Sequence, residues 1–151
     1  MPDLSETVHV EAPAAVVYAL VSDLPRMGEW SPECTLVRWR GDATGPAAGA
    51  GFTGYNRSGW KRWRTTGTVV RADPGSAFVF AIRLGPMPAA RWAYRIAPTD
   101  AGACTVTEEW TDLRPPGVRA ALGRAFGTRR ELNRAGIVET LANLKTAAEA
   151  A

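Results

Sequence analysis

The sequence predicts one α+β domain in which consecutive antiparallel strands are covered on one face by a long C-terminal helix. Three observations predict it. From Glu33 to Asp112, apolar and polar residues alternate with period two between short turn sequences. After Pro115-Pro116 the period lengthens to that of a helix. The six strands in the middle have connections too short for parallel crossovers, so they must pair antiparallel, and a sheet with one apolar face needs a helix over it.

Leu4, Glu6, Val8, Val10 and Ala12 share one face of an opening strand, and Ser5, Thr7, His9 and Glu11 the other. Pro13 suits a first helical turn, where its missing N–H has no partner to lose. Val16, Val17, Leu20 and Val21 follow at helical spacing, and Asp23-Leu24-Pro25 ends that helix. A second short helix is expected from Leu24 to about Trp30.

Thr35, Val37 and Trp39 then alternate with Leu36, Arg38 and Arg40, before a Gly/Ala/Pro loop from Gly41 to Gly51. Strands are expected over Phe52–Arg57, Arg62–Ala72, Ala77–Leu84 and Arg91–Ala97. They are separated by Ser58-Gly59, Asp73-Pro74-Gly75 and Gly85-Pro86-Met87-Pro88. In the last strand Cys104, Val106, Glu108 and Trp110 alternate with Thr105, Thr107, Glu109 and Thr111. Helical spacing then runs through Val118, Leu122, Leu132, Leu141 and Leu144. A break is expected near Gly127, with the long helix from about Thr128 to Ala148.

The chain has 151 residues, enough for one domain spanning 1–151 with its own core. Its 46% apolar and 22% charged residues exclude a largely disordered chain. The longest apolar run, Ala12 to Val21, falls short of the about 20 residues a membrane helix needs, so no membrane insertion is expected. The N-terminus lacks the basic and apolar regions of a secretory signal, and the protein is read as cytoplasmic. Cys34 and Cys104 are then two reduced thiols in different strands. The net charge of +3 comes from arginines apart from Lys61 and Lys145, and its modest spread gives no reason to expect a nucleic-acid partner.

Three stretches, in this order and spacing, carry a family resemblance. The first is Val8-His9-Val10-Glu11-Ala12-Pro13 through Val17 to Asp23, then Trp30. The second is Gly51-Phe52-Thr53-Gly54-Tyr55-Asn56-Arg57, running through Trp63 to Asp73-Pro74. The third is Thr105-Val106-Thr107-Glu108, followed by Leu141-Ala142-Asn143-Leu144-Lys145. The chain resembles the START-related helix-grip superfamily (SRPBCC), in its polyketide cyclase/dehydrase and lipid-transport-like branch. That resemblance implies a seven-stranded curved sheet wrapped around the C-terminal helix, two short helices after the first strand, and a ligand cavity between sheet and helix.

The six tryptophans fit such a cavity, since each removes about 150–250 Å² from water and makes a good wall for an aromatic or lipid guest. The expected lining is Trp30, Trp39, Tyr55, Trp63, Phe80 and Ile82 from the first half. Trp92, Tyr94, Val106, Trp110, Leu132 and Leu141 complete it. A dry cavity of ~300 Å³ costs on the order of 6 kcal/mol, which approaches the whole stability of a small domain. A void of that size is retained for a purpose.

Glu108 shares the face of Val106 and Trp110. On an inward face its pKa rises by desolvation and suits it to acid–base work. The plainer expectation is a pairing with an arginine such as Arg95 or Arg64. Other motifs point nowhere. Gly49-Ala50-Gly51-Phe52-Thr53-Gly54 fits a dinucleotide fingerprint but precedes a strand, not the helix that chemistry requires. His9, the one histidine, lies on the polar face of its strand, away from any nucleophile. No Cys/His pair has metal-ligand spacing, and neither a metal nor a cofactor is expected.

The expected function is binding or transport of a hydrophobic small molecule (a lipid, polyketide or aromatic compound), by a monomer or homodimer. The alternative is a polyketide aromatase/cyclase or dehydrase, with Glu108 acting alongside Tyr55, Tyr94 or Arg57. A regulatory module that binds partners through an exposed apolar patch is a third class. The fold hosts both of the first two, so it does not rank them.

Overall fold

In a computed structural model of the protein, describing residues 1–126 and 129–151, the element order follows the period changes of the sequence. Strand β1 (Leu4–Val10) leads into helix α1 (Ala14–Ser22) and a 3₁₀ helix (Leu24–Glu29). Six strands follow: β2 (Cys34–Trp39), β3 (Gly51–Ser58), β4 (Lys61–Asp73), β5 (Ala77–Leu84), β6 (Met87–Asp100) and β7 (Ala103–Asp112). Helices α2 (Pro116–Phe126) and α3 (Arg129–Ala150) close the chain. The break expected near Gly127 lies outside the described residues. Strand β6 runs longer than its alternation suggested, because Met87 and Pro88 pair with β5 rather than forming a loop, and β4 gains one residue at each end by pairing Lys61 with Ser58 and Asp73 with Ala77.

The strands form one antiparallel sheet in the order β1-β7-β6-β5-β4-β3-β2. Only the link from β1 to β2 is long. It runs through α1 and the 3₁₀ helix and places these two strands at opposite edges. Register shifts at Cys34/Leu36, Val69/Arg71, Ile82/Arg83 and Pro98/Asp100 increase local twist and bend. The sheet thereby curves around α3.

The core lies between the concave face and the helices. Phe78, Leu24, Ile137, Leu144, Val10 and Val17 are among its fully buried side chains. Phe80 stands edge-on to Phe52 at 5.5 Å, and Tyr18 of α1 edge-on to Phe78 at 6.3 Å. The buried face of α3 is Asn133, Ile137, Thr140, Leu141, Leu144 and Ala148. Polar ties fix the helix along its length. Arg134 pairs with Glu6, Asn143 Nδ2 donates to the Trp30 carbonyl at 3.0 Å, and Lys145 Nζ donates to the His9 carbonyl at 2.8 Å. Among the described residues no helix is long and apolar enough to cross a membrane.

Candidate functional site

Alternation along β7 turns Cys104, Val106, Glu108 and Trp110 toward α3, all buried. The β6–β7 register sets Ile96 opposite Val106, Tyr94 opposite Glu108 and Trp92 opposite Trp110. The two indoles meet at 6.5 Å. A carboxyl group thus sits, 3% exposed, beside an aromatic strip on the β6 side, with Glu6 of β1, itself paired with Arg134, opposite it on the other.

Its partner is a tyrosine. The Tyr94 hydroxyl donates to Glu108 Oε1 at 3.0 Å, while the buried Oε2 has no hydrogen-bond partner among the described residues. The expected arginine pairing is wrong. Glu109, the next residue, points outward and takes Arg95 at 2.9 Å, and Arg64 stands opposite Tyr55 on the outer face. The reason is the two-residue period, which sends Glu108 and Glu109 to opposite faces.

Burial raises the Glu108 pKa from 4.5 to about 8, and the Tyr94 hydrogen bond opposes only part of that rise. Burial, then the neighbouring Glu108 charge, holds the Tyr94 hydroxyl well above its usual range. Near neutral pH the carboxyl is therefore mostly protonated. With Oε1 accepting from Tyr94, the acid proton falls on Oε2, which has no acceptor among the described residues. This arrangement can hydrogen-bond a carbonyl or hydroxyl oxygen, or transfer a proton to one.

A second polar group lies on the same face, across the sheet. Gly54 and Asn56 of β3 pair with Thr65 and Trp63 of β4, and Asn56 Nδ2 donates to Thr65 Oγ1 at 3.4 Å. A Cβ on Gly54 would stand 3.1 Å from Thr65 Oγ1 and 4.0 Å from Cys34 Sγ, so the glycine keeps a gap between them. Burial pushes the Cys34 thiol up to about 11. The sequence did not single out Asn56 and Thr65 as site residues, although the Phe52-Gly54-Asn56 and Trp63-Thr65-Gly67 alternations point them inward.

Of the expected lining residues, Trp30, Phe80, Tyr94, Val106, Trp110 and Leu141 are buried on the concave side. Trp39, Trp63, Ile82 and Trp92 are half-buried and share that side by register. Two do not belong. Tyr55 faces outward, since Phe52 and Gly54 take the inner positions of β3, and Arg57 follows it to the outer face. Leu132 is 47% exposed, because the buried stripe of α3 passes through Asn133 and Ile137. Two open surface clefts, of about 600 and 460 Å³, are lined by the loop around Arg40–Gly51 and by Thr66, Gly67, Thr68 and Arg83. No expected lining residue contributes to either.

A family model described as polyketide cyclase/dehydrase and lipid transport matches residues 1–149. The Polyketide_cyc-like protein Cgl2372 from Corynebacterium glutamicum is 35% identical, with a TM-score of 0.63 over 94% of this chain and 88% of that one. The di-domain ARO/CYC protein StfQ from the steffimycin biosynthetic pathway is 16% identical, with a TM-score of 0.75 over 97% of this chain and 50% of its own. The di-domain ARO/CYC protein BexL from the BE-7585A pathway is 20% identical, with a TM-score of 0.67 over 97% and 46%. These last two likenesses show the fold alone. No curated protein matches the sequence.

Proposed function

Since the chain belongs to the polyketide cyclase/dehydrase and lipid-transport family, we propose that it encloses a hydrophobic small molecule between the concave face of the sheet and α3. The guest is a lipid, polyketide or other aromatic compound carrying at least one carbonyl or hydroxyl oxygen. The observation that carries this is Glu108 Oε2, a buried polar atom without a partner among the described residues, beside the aromatic strip of β6 and β7. Such an atom costs roughly 1–3 kcal/mol until something meets it. A guest oxygen at that point would recover the cost, and Trp92, Trp110 and Tyr94 supply flat apolar surface on either side of it. Native mass spectrometry of protein purified from cells tests the reading. A bound organic mass, displaced by a hydroxylated anthraquinone and held less tightly by Glu108→Gln, is the expected result. Empty protein across several purifications, together with no anthraquinone binding, would remove the proposal.

The same carboxyl favours a second reading, a cyclase or dehydrase. A general acid works best when its pKa lies near the working pH, and a value of about 8 meets that condition. Glu108 would then give its proton to a carbonyl or departing hydroxyl oxygen, with Tyr94 as the positioning residue. On a substrate that turns over, Glu108→Gln should lower kcat by ~10²-fold or more while leaving binding within reach of the wild type. Unchanged turnover takes Glu108 out of the chemistry and leaves the carrier reading.

A further inference from the structure

The hairpin joining β3 to β4 carries groups that the interior does not use. Its turn runs from Ser58 to Lys61, with Gly59 at φ +63. Trp60 stands at the tip, 87% exposed. Behind it Arg57 lies directly opposite Arg62, and Tyr55 opposite Arg64, all on the outer face of the sheet. The Lys61 ammonium lies 6.0 Å from the centre of the Trp60 ring. Residues 43–72 contain five basic residues and no aspartate or glutamate.

Two like charges directly opposite each other across a strand pair destabilise it. The Arg57–Arg62 pair therefore contributes nothing favourable by itself, while Arg57 Nε donates to the Gly59 carbonyl at 3.4 Å, and an anion from outside would relieve the repulsion. Glu33 is near in the chain fold, since its carbonyl accepts from the Arg57 N–H at 2.9 Å. Its carboxylate, however, is engaged by Arg129 from the start of α3. Arg129 also covers the ring of Trp63 at 5.6 Å, and Leu132, one turn further along α3, is 47% exposed. Exposed apolar groups and cations thus share this end of the molecule.

We propose that the β3–β4 hairpin docks the protein onto an anionic lipid bilayer, with Trp60 in the headgroup layer and Arg57, Lys61 and Arg62 against lipid phosphates. An indole prefers the membrane interface, where its ring is sheltered and its N–H stays solvated. Basic residues are drawn to a negative leaflet. Either signal alone holds a protein weakly, and stable attachment takes two. Nucleic-acid phosphates would also attract these cations, and a base would stack on Trp60. A strand of nucleic acid is tracked by a groove, though, whereas these charges flank an exposed indole at the tip of a hairpin. The docking is peripheral, and it stands whether or not the interior holds a guest.

Co-sedimentation of the whole chain with phosphatidylcholine vesicles, with and without phosphatidylglycerol, tests it. The protein should pellet only when phosphatidylglycerol is present, and less as salt rises. Trp60→Ala should lower the vesicle partition coefficient on the order of tenfold, and Arg57→Gln/Arg62→Gln by tenfold or more, each with a wild-type circular dichroism spectrum. Three results would each overturn the proposal. They are no phosphatidylglycerol-dependent binding, binding unchanged in both variants, or tighter binding of a single-stranded oligonucleotide than of the vesicles in the same buffer.

Discussion

Tyr94 donates its hydroxyl to Glu108 Oε1 across the β6–β7 ladder at 3.0 Å, and both residues are more than nine-tenths buried. An acid held this way is asymmetric. One oxygen is engaged by the protein, and the other faces the interior. Its energetics are visible without any ligand.

Stability should depend on pH through Glu108. The folded carboxyl titrates near 8, the unfolded one near 4.5. Below the lower value both states hold the proton and stability is full. Between the two, only the folded state holds it, so stability falls by up to ~1.4 kcal/mol per pH unit and is lowest above the upper value. Urea unfolding of Glu108→Gln across this window should lack that slope. Equal slopes in wild type and variant would place the perturbed acid elsewhere.

Tyr94→Phe removes the one donor that favours the charged form of Glu108. The carboxyl pKa should rise above its value of about 8, followed by carbon NMR of the side-chain carboxyl. The variant should also lose about 1–3 kcal/mol for the polar group left bare. A fall in the pKa would mean that the tyrosine is not the donor.

Gly67→Ala should destabilise the sheet by about 1–3 kcal/mol through crowding. Its Cβ would come within 2.2 Å of the Phe52 ring, which is held between Trp39 and Phe80. Thermal unfolding of Phe52→Leu/Gly67→Ala should show the coupling, with the double variant less damaged than the two singles added together.

Phe78→Ala and Leu132→Ala form a contrasting pair. Phe78 is fully buried beneath α1, and its loss should cost about 3–5 kcal/mol. Leu132, half-exposed on α3, should cost no more than about 0.5 kcal/mol. A large effect at Leu132 would show that it is covered by something in solution.

The strands, and the face that Glu108 shares with Val106 and Trp110, were legible from alternation, since a period of two leaves no choice of face once one residue is placed, and the antiparallel pairing was legible from the short connections. Glu108 was found this way. Its partner was not, because the cross-strand neighbour depends on how the turn after β6 closes. The shift between Pro98 and Asp100 sets Tyr94 opposite Glu108, and no propensity encodes such a shift. Tyr55 was misplaced because aromatic character was taken as a sign of the interior when the Phe52-Gly54-Asn56 series already held the inner positions. Leu132 was misplaced by carrying one apolar stripe from α2 into α3. The buried stripe of α3 instead runs through the polar residues Asn133 and Thr140. The polar station at Asn56 and Thr65 stayed hidden because neither residue type announces burial.

The edge position of β1 has a bearing on biogenesis. Its neighbour in the sheet is β7, with Leu4 aligned to Trp110 and Val10 to Cys104. β1 therefore cannot pair until β7, far along the chain, has been made, and contacts so distant in sequence form slowly. Until then the border of β7 stays unzipped and the apolar trough beside it lies open to water, the condition in which a half-made sheet is most prone to associate with other chains.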